Sequence, residues 1–346
     1  MHGTSLESPV FRTVLGIWLQ TNPTADERRR CLACHVPSTT VFPQHVEKIV
    51  AQVLSGKPQV EGIGCASCHL IKQVEQTPDS PPSFKIEPGK MIYGPYANPE
   101  ENLVHPATQS ELFRGANFCA SCHFDKVKDV TQKDLAGEIL QGTICQDCHM
   151  EPSTGSSTSK RGAMTRAIGR HWFRGVVVSG TMLKNRNLQA EWMPRVDLEA
   201  TNSASAVEGT ALVRIGSLPH SFPDGDPVLK QFFLILTAKD VQGKVLKEET
   251  KQFGLPYDKI LRGPIPDPFI KGGYTRKVPF SLAIPPGSTA ASIEAVLNYA
   301  LIPMPEQALK EKYLATLATD KERESAKQIF DEYTQPRLLT YRAKTL

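Results

Sequence analysis

Eight cysteines stand in this 346-residue chain, and all eight fall into one repeated pattern. They form Cys31/Cys34 with His35, Cys65/Cys68 with His69, Cys119/Cys122 with His123 and Cys145/Cys148 with His149, each as C-x-x-C-H. Two thiols three positions apart on a short helical turn can both reach the vinyl groups of one porphyrin, and the next residue sets an imidazole beneath the iron. A disulfide framework would not require a histidine after every second cysteine. Paired zinc sites would leave the four histidines unexplained, and a dithiol redox motif would not recur four times. The pattern therefore implies four c-type haems, with His35, His69, His123 and His149 as proximal ligands.

Four irons need ligands on their other faces. Nine histidines are present, so five lie outside the motifs: His2, His45, His105, His171 and His220. Imidazole is a common partner of low-potential haem, whereas methionine raises the potential. The methionines are scattered without a recurring context, and Met150 directly follows His149, so it cannot reach the opposite face of the same haem. His45 opens "PQHVEKIVAQVLSG", whose Val46, Ile49, Val50, Val53 and Leu54 form a helical apolar stripe. His105 precedes the third motif, and His171 sits in "GRHWFRG" beside two aromatic residues. His220 is held between Pro219 and Pro223 on a stiff loop that can cap an iron in a neighbouring domain. His45, His105, His171 and His220 are thus the expected distal ligands. His2 is the spare, either idle at the terminus or carried on an arm to a haem of an adjacent subunit.

The elements that position these groups divide near residue 175. Residues 1–175 read as a loop-rich, mainly α tetrahaem domain, because porphyrins rather than side chains fill such a core. "VFRTVLGIWLQ" has the spacing of an amphipathic helix. The segment 153–162, "STGSSTSKRG", reads as a flexible surface loop. Residues 176–304 alternate as strands: "VPFSLAIP", "SIEAVLNYALI", and a hairpin "QFFLILTAKDVQGKVLKEE" turning at Asp240–Gly243. Short strands with Pro and Gly punctuation suggest an all-β immunoglobulin-like sandwich. Residues 305–346 read as a helical hairpin and tail, with Leu309, Tyr313, Leu314 and Leu317 facing Ile329, Phe330 and Tyr333.

Composition excludes several classes. With 40% hydrophobic and 22% charged residues the chain is an ordinary globular protein. The net charge of +4 carries no long basic run, so nucleic acid is not an expected partner. No apolar run is long enough to span a bilayer. The opening Met1-His2-Gly3-Thr4 is not a secretory leader, so a signal peptide is absent from the sequence as it stands.

The chain resembles the bacterial and archaeal multihaem cytochrome c family that includes the tetrahaem carriers of ammonia oxidisers. The matching features are "GIGCASCHL", "YGPYANPEENLVH" and "TICQDCHM" at the second, third and fourth motifs, with "RHWFRG" similar to a distal-ligand loop. "PHSFPDG" is similar to a segment of relatives with a β-domain, although Leu218-Pro219 and Asp224 depart from it. The resemblance spans roughly residues 28–225. It implies bis-histidine haems, an extracytoplasmic location, and redox proteins or extracellular electron acceptors as partners. Some relatives polymerise head to tail into conductive filaments with one axial histidine crossing the subunit interface, a role His2 would suit.

Two functions follow. Closely packed, closed haems conduct electrons and need no catalytic residue, and the sandwich serves as a docking or assembly module. The alternative is a multihaem enzyme converting nitrogen oxides or hydroxylamine, which needs one iron with an open position.

Overall fold

The computed structural model describes residues 2–3, 5–76, 84–100, 105–115, 117–120, 122–123, 145–150, 152–156, 158, 161–171, 173, 194–216, 231–254, 270, 273–300, 302, 304–335 and 337–346. The chain divides into two compact units. The first is built from residues within 1–128, 140–178 and 311–316, and the second from those within 129–139, 179–310 and 317–346.

The first unit is helical and loop-rich. Helix α1 (Pro9–Leu19) starts with Pro9 in its first turn and with Ser8 accepting the amide of Phe11. Helix α2 (Ala25–His35) opens with a capping box in which Thr24 and Glu27 satisfy each other's backbone amides, and its last turn is the first motif. Helix α3 (Val46–Leu54) buries Val46, Ile49, Val50 and Val53 of the expected stripe, with Leu54 half-buried. Helices α4 (Cys65–His69), α5 (Asn117–Ala120) and α6 (Cys145–His149) are short turns that carry the other motifs. Four small strands pair between them: β1 (Ile71–Gln76) with β2 (Phe84–Pro88), antiparallel, and β3 (Ile92–Gly94) with β4 (Ala107–Gln109), parallel.

One expectation is corrected here. The Ser/Gly-rich stretch from Ser153 is not a loop throughout, because β5 (Pro152–Ser156) pairs antiparallel with β6 (Thr165–Gly169). Backbone hydrogen bonding across the pair and the Ile168 side chain against Gly155 suffice for a strand whose own side chains give no apolar signal.

The second unit is two antiparallel sheets sharing one core. β7 (Arg195–Asn202), β8 (Ala206–Arg214) and β11 (Thr275–Ala283) form one sheet in the order β11-β8-β7. β9 (Gln231–Lys239), β10 (Val245–Phe253), β12 (Ser292–Ala300) and β13 (Arg337–Thr345) form the other, in the order β10-β9-β12-β13. Val207, Val213, Phe280 and Leu282 from the first sheet meet Phe232, Leu234, Ile293 and Leu297 from the second. Strand β9 lies between β10 and β12 and turns Phe232, Leu234, Leu236 and Ala238, alternate residues, into the core. The β9–β10 hairpin turns where expected: Asp240 accepts the amides of Gln242 and Lys244, and Gly243 takes φ +80°.

The region 305–346 is not a separate hairpin and tail. Helices α7 (Gln307–Thr316) and α8 (Asp320–Tyr333) form, but the tail is strand β13, paired along β12. "RLLTYRAKT" is an edge strand with exposed Tyr341 and Arg342, so its polar pattern hides its place in the sheet. Tyr313 is buried, and its ring lies against Gly16 of α1 within the first unit.

Candidate functional site

Each C-x-x-C-H with described backbone lies on a helical turn, as required for two thiols and one imidazole to face a single group. The first is the end of α2; the second and fourth are α4 and α6 themselves. In the third, the amides of Cys122 and His123 both bond to the Cys119 carbonyl at 3.2 and 2.9 Å. Seven of the eight cysteines have described side chains, and none of these is in a disulfide. The side chain of Cys148 lies outside the described residues.

His35 and His69 each rest against an aromatic ring. His35 stacks on Phe11 of α1, ring centres 4.3 Å apart. Its Nδ1 is shut from solvent with no hydrogen-bond partner, and burial, followed by the neighbouring His123 and His2, pushes its pKa down to about 4. His69 donates from Nδ1 to the Tyr93 carbonyl at 2.6 Å. A carbonyl only accepts, so the proton sits on Nδ1 and Nε2 presents a lone pair, the form in which imidazole binds metals. Its ring stacks on Phe113 at 5.2 Å and 5°.

Of the five other histidines, the structure brings two to motif histidines. The His171 ring centre lies 6.0 Å from that of His69, with the planes at 47°. His171 bonds to the Gly169 carbonyl, and its pKa is lowered by burial first and by His69 second. His2 packs edge-on against Phe173 at 4.4 Å and lies close enough to His123 for their charges to interact, its pKa being lowered mainly by burial. His45 is exposed at a 3-10 turn beside Phe42, and His105 is exposed ahead of β4. His220 lies outside the described residues.

The attachment segments converge on the third motif. The Cys34 thiol points at the Cys122 carbonyl, 3.8 Å away. The Cys119 and Cys145 side chains hydrogen-bond, which together with burial raises the Cys119 pKa. Burial and then the nearby Cys122 push the Cys68 thiol up to about 11. Gln146, inside the fourth motif, donates to the carbonyls of Phe113 and Gly115 at 3.2 and 3.0 Å. Ala33, Ile71 and Ile86 form a small core on which Cys34, Phe118 and Cys122 pack.

Comparison with known proteins bears on the first two motifs and on the fold. Residues 15–70, which hold the first two motifs, match the family described as cytochrome c554 and c-prime. A penta-haem cytochrome c552 from Thermochromatium tepidum superposes with a TM-score of 0.57 at 18% identity, covering 91% of this chain and 83% of that one. The fold is that of a multihaem c-type cytochrome. No curated protein sequence matches the chain. Among the described residues no helix is long and apolar enough to cross a membrane.

Several supporting residues had no place in the sequence reading. Phe113 and Phe118 stand near motifs, and their aromatic character was the available signal. The Tyr93 carbonyl and the Gln146 clamp leave none, because a backbone acceptor is independent of side-chain type. Arg166 lies over the Tyr96 ring and bonds to the Asn98 carbonyl.

Proposed function

We propose that this chain carries electrons through four c-type haems, bound covalently at Cys31/Cys34, Cys65/Cys68, Cys119/Cys122 and Cys145/Cys148. His35, His69, His123 and His149 are the proximal ligands. One observation carries the reading: the ring centres of His69 and His171 lie 6.0 Å apart, and each ring is held by a backbone carbonyl. An imidazole nitrogen binds a first-row metal at ~2 Å, so two imidazoles across one metal hold their ring centres about 6 Å apart. The haem supplies the one-electron couple; the protein supplies the axial ligands, burial and hydrogen bonds that tune it.

His2 is the second distal ligand supported by placement, since it packs within its own unit near His123 and His35. In this reading it serves its own chain rather than bridging to another subunit, and any conductive filament forms without it. The two remaining caps come from among His45, His105 and His220, an assignment resting on sequence alone. The contacts among Cys34, Cys68, Cys119, Cys122 and Cys145 support close haem packing and conduction from one to the next. The protein works outside the cytoplasm, with redox proteins or extracellular acceptors as partners. The strand orders β7-β8-β11 and β10-β9-β12-β13 support an immunoglobulin-like docking module.

The test is pulse reduction of the oxidised protein with less than one electron per chain, followed by optical and freeze-quench spectra. Conduction gives redistribution among haems at a rate independent of protein concentration. A redistribution rate proportional to concentration would mean isolated haems and would overturn the reading.

A further inference from the structure

We infer that Phe113 is a positioning residue that fixes the plane of the His69 imidazole, and with it the angle at which His69 and His171 cross. This rests on the bis-histidine reading and adds a determinant that neither the motif nor the ligand count contains. The Nδ1 bond to Tyr93 pins one nitrogen at 2.6 Å, but a single bond leaves the ring free to swivel about the N···O line. Phe113 removes that freedom, because its ring lies parallel to His69 within 5° at 5.2 Å.

Phe113 is itself held on several sides. It lies in the 3-10 turn Glu111–Arg114, which Ser110 caps by accepting the Leu112 amide. Its ring stacks on Phe118 at 4.7 Å, its amide bonds to the Ser110 carbonyl, and its own carbonyl accepts from Gln146. Across from His69, Phe173 meets the His171 ring edge-on at 84°. The 47° crossing of the two imidazoles is therefore buttressed from both sides. In a low-spin haem the relative orientation of two axial imidazole planes controls the splitting of the iron d orbitals, and so the anisotropy of its paramagnetic resonance. Partners that orient a ligand tune the metal in the same way. Phe118 directly precedes Cys119, so one aromatic stack links the ligand of the second motif to the attachment helix of the third.

The test compares the oxidised wild type with Phe113→Leu, which keeps apolar volume without a ring, and Phe113→Tyr, which restores the stack. Haem content is checked by pyridine haemochrome, and Phe113→Ala serves as a second ring-free variant if Phe113→Leu loads incompletely. The expected result is full haem content with one low-spin signal moving its largest g value by more than its linewidth in the ring-free variant. The other signals should stay in place, and Phe113→Tyr should return the wild-type spectrum. Unchanged g values in a fully loaded ring-free variant would overturn the inference. Carbon monoxide binding to wild-type haem at the second motif would overturn instead the bis-histidine reading beneath it.

Discussion

The imidazoles of His69 and His171 lie with ring centres 6.0 Å apart, although 101 positions separate them in the chain. His69 is delivered by the short helix of its own motif, and His171 by the turn that follows β6. The Tyr93 and Gly169 carbonyls each occupy one ring nitrogen. Under the proposed reading these two imidazoles would hold one haem iron between them, which is how a spare histidine acquires a named partner.

Replacing His171 by alanine should open one iron and leave the others closed. The expected outcome is one high-spin signal per chain and a carbon monoxide shift of about a quarter of the haem absorbance, a proportion set by the four motifs. A variant with wild-type spectra would mean that another residue caps that iron.

The chemistry was more legible in the sequence than the support around it. The cysteine pattern and the apolar stripe of α3 can be read directly, because covalent spacing and helical period are local properties. The hairpin at Asp240–Gly243 was equally readable, since a turn needs particular residues at particular places. The pairing of β5 and the place of β13 were not, because both depend on partners distant in sequence and carry polar side chains. Which histidine meets which motif is likewise a property of the fold. From spacing come only the expected haem count and the expected proximal ligands.

Gln146 ties the fourth motif to the segment before the third through two backbone carbonyls. Gln146→Ala should keep all haems attached yet lose about 1–2 kcal/mol, because two part-buried acceptors lose their donor. Thermal unfolding followed in the haem band should shift down by a few degrees. An unchanged midpoint would show that water replaces the amide without cost.

The approach of Tyr313 to Gly16 leaves no room for a side chain: a Cβ on Gly16 would clash with the tyrosine ring, which is 2% exposed. Gly16→Ala should therefore destabilise the first unit by about 1–3 kcal/mol. Denaturant midpoints read from haem absorbance check this, and wild-type stability would mean that the ring moves aside freely.

At the β9–β10 turn the constraint is conformational instead. Gly243 has φ +80° with open space where a Cβ would stand, so Gly243→Ala strains only the backbone. The expected loss is about 1 kcal/mol, with haem spectra unchanged. Far-ultraviolet circular dichroism on heating measures it, and equal stability would argue against the positive-φ turn.

The most direct test of the central claim is electron paramagnetic resonance of the oxidised wild-type protein, joined to visible spectra of the reduced protein before and after carbon monoxide. Four closed irons give low-spin signals only and no carbon monoxide shift, the result expected of a bis-histidine electron carrier. A stoichiometric high-spin signal with a carbon monoxide shift would contradict it and indicate an iron open to substrate.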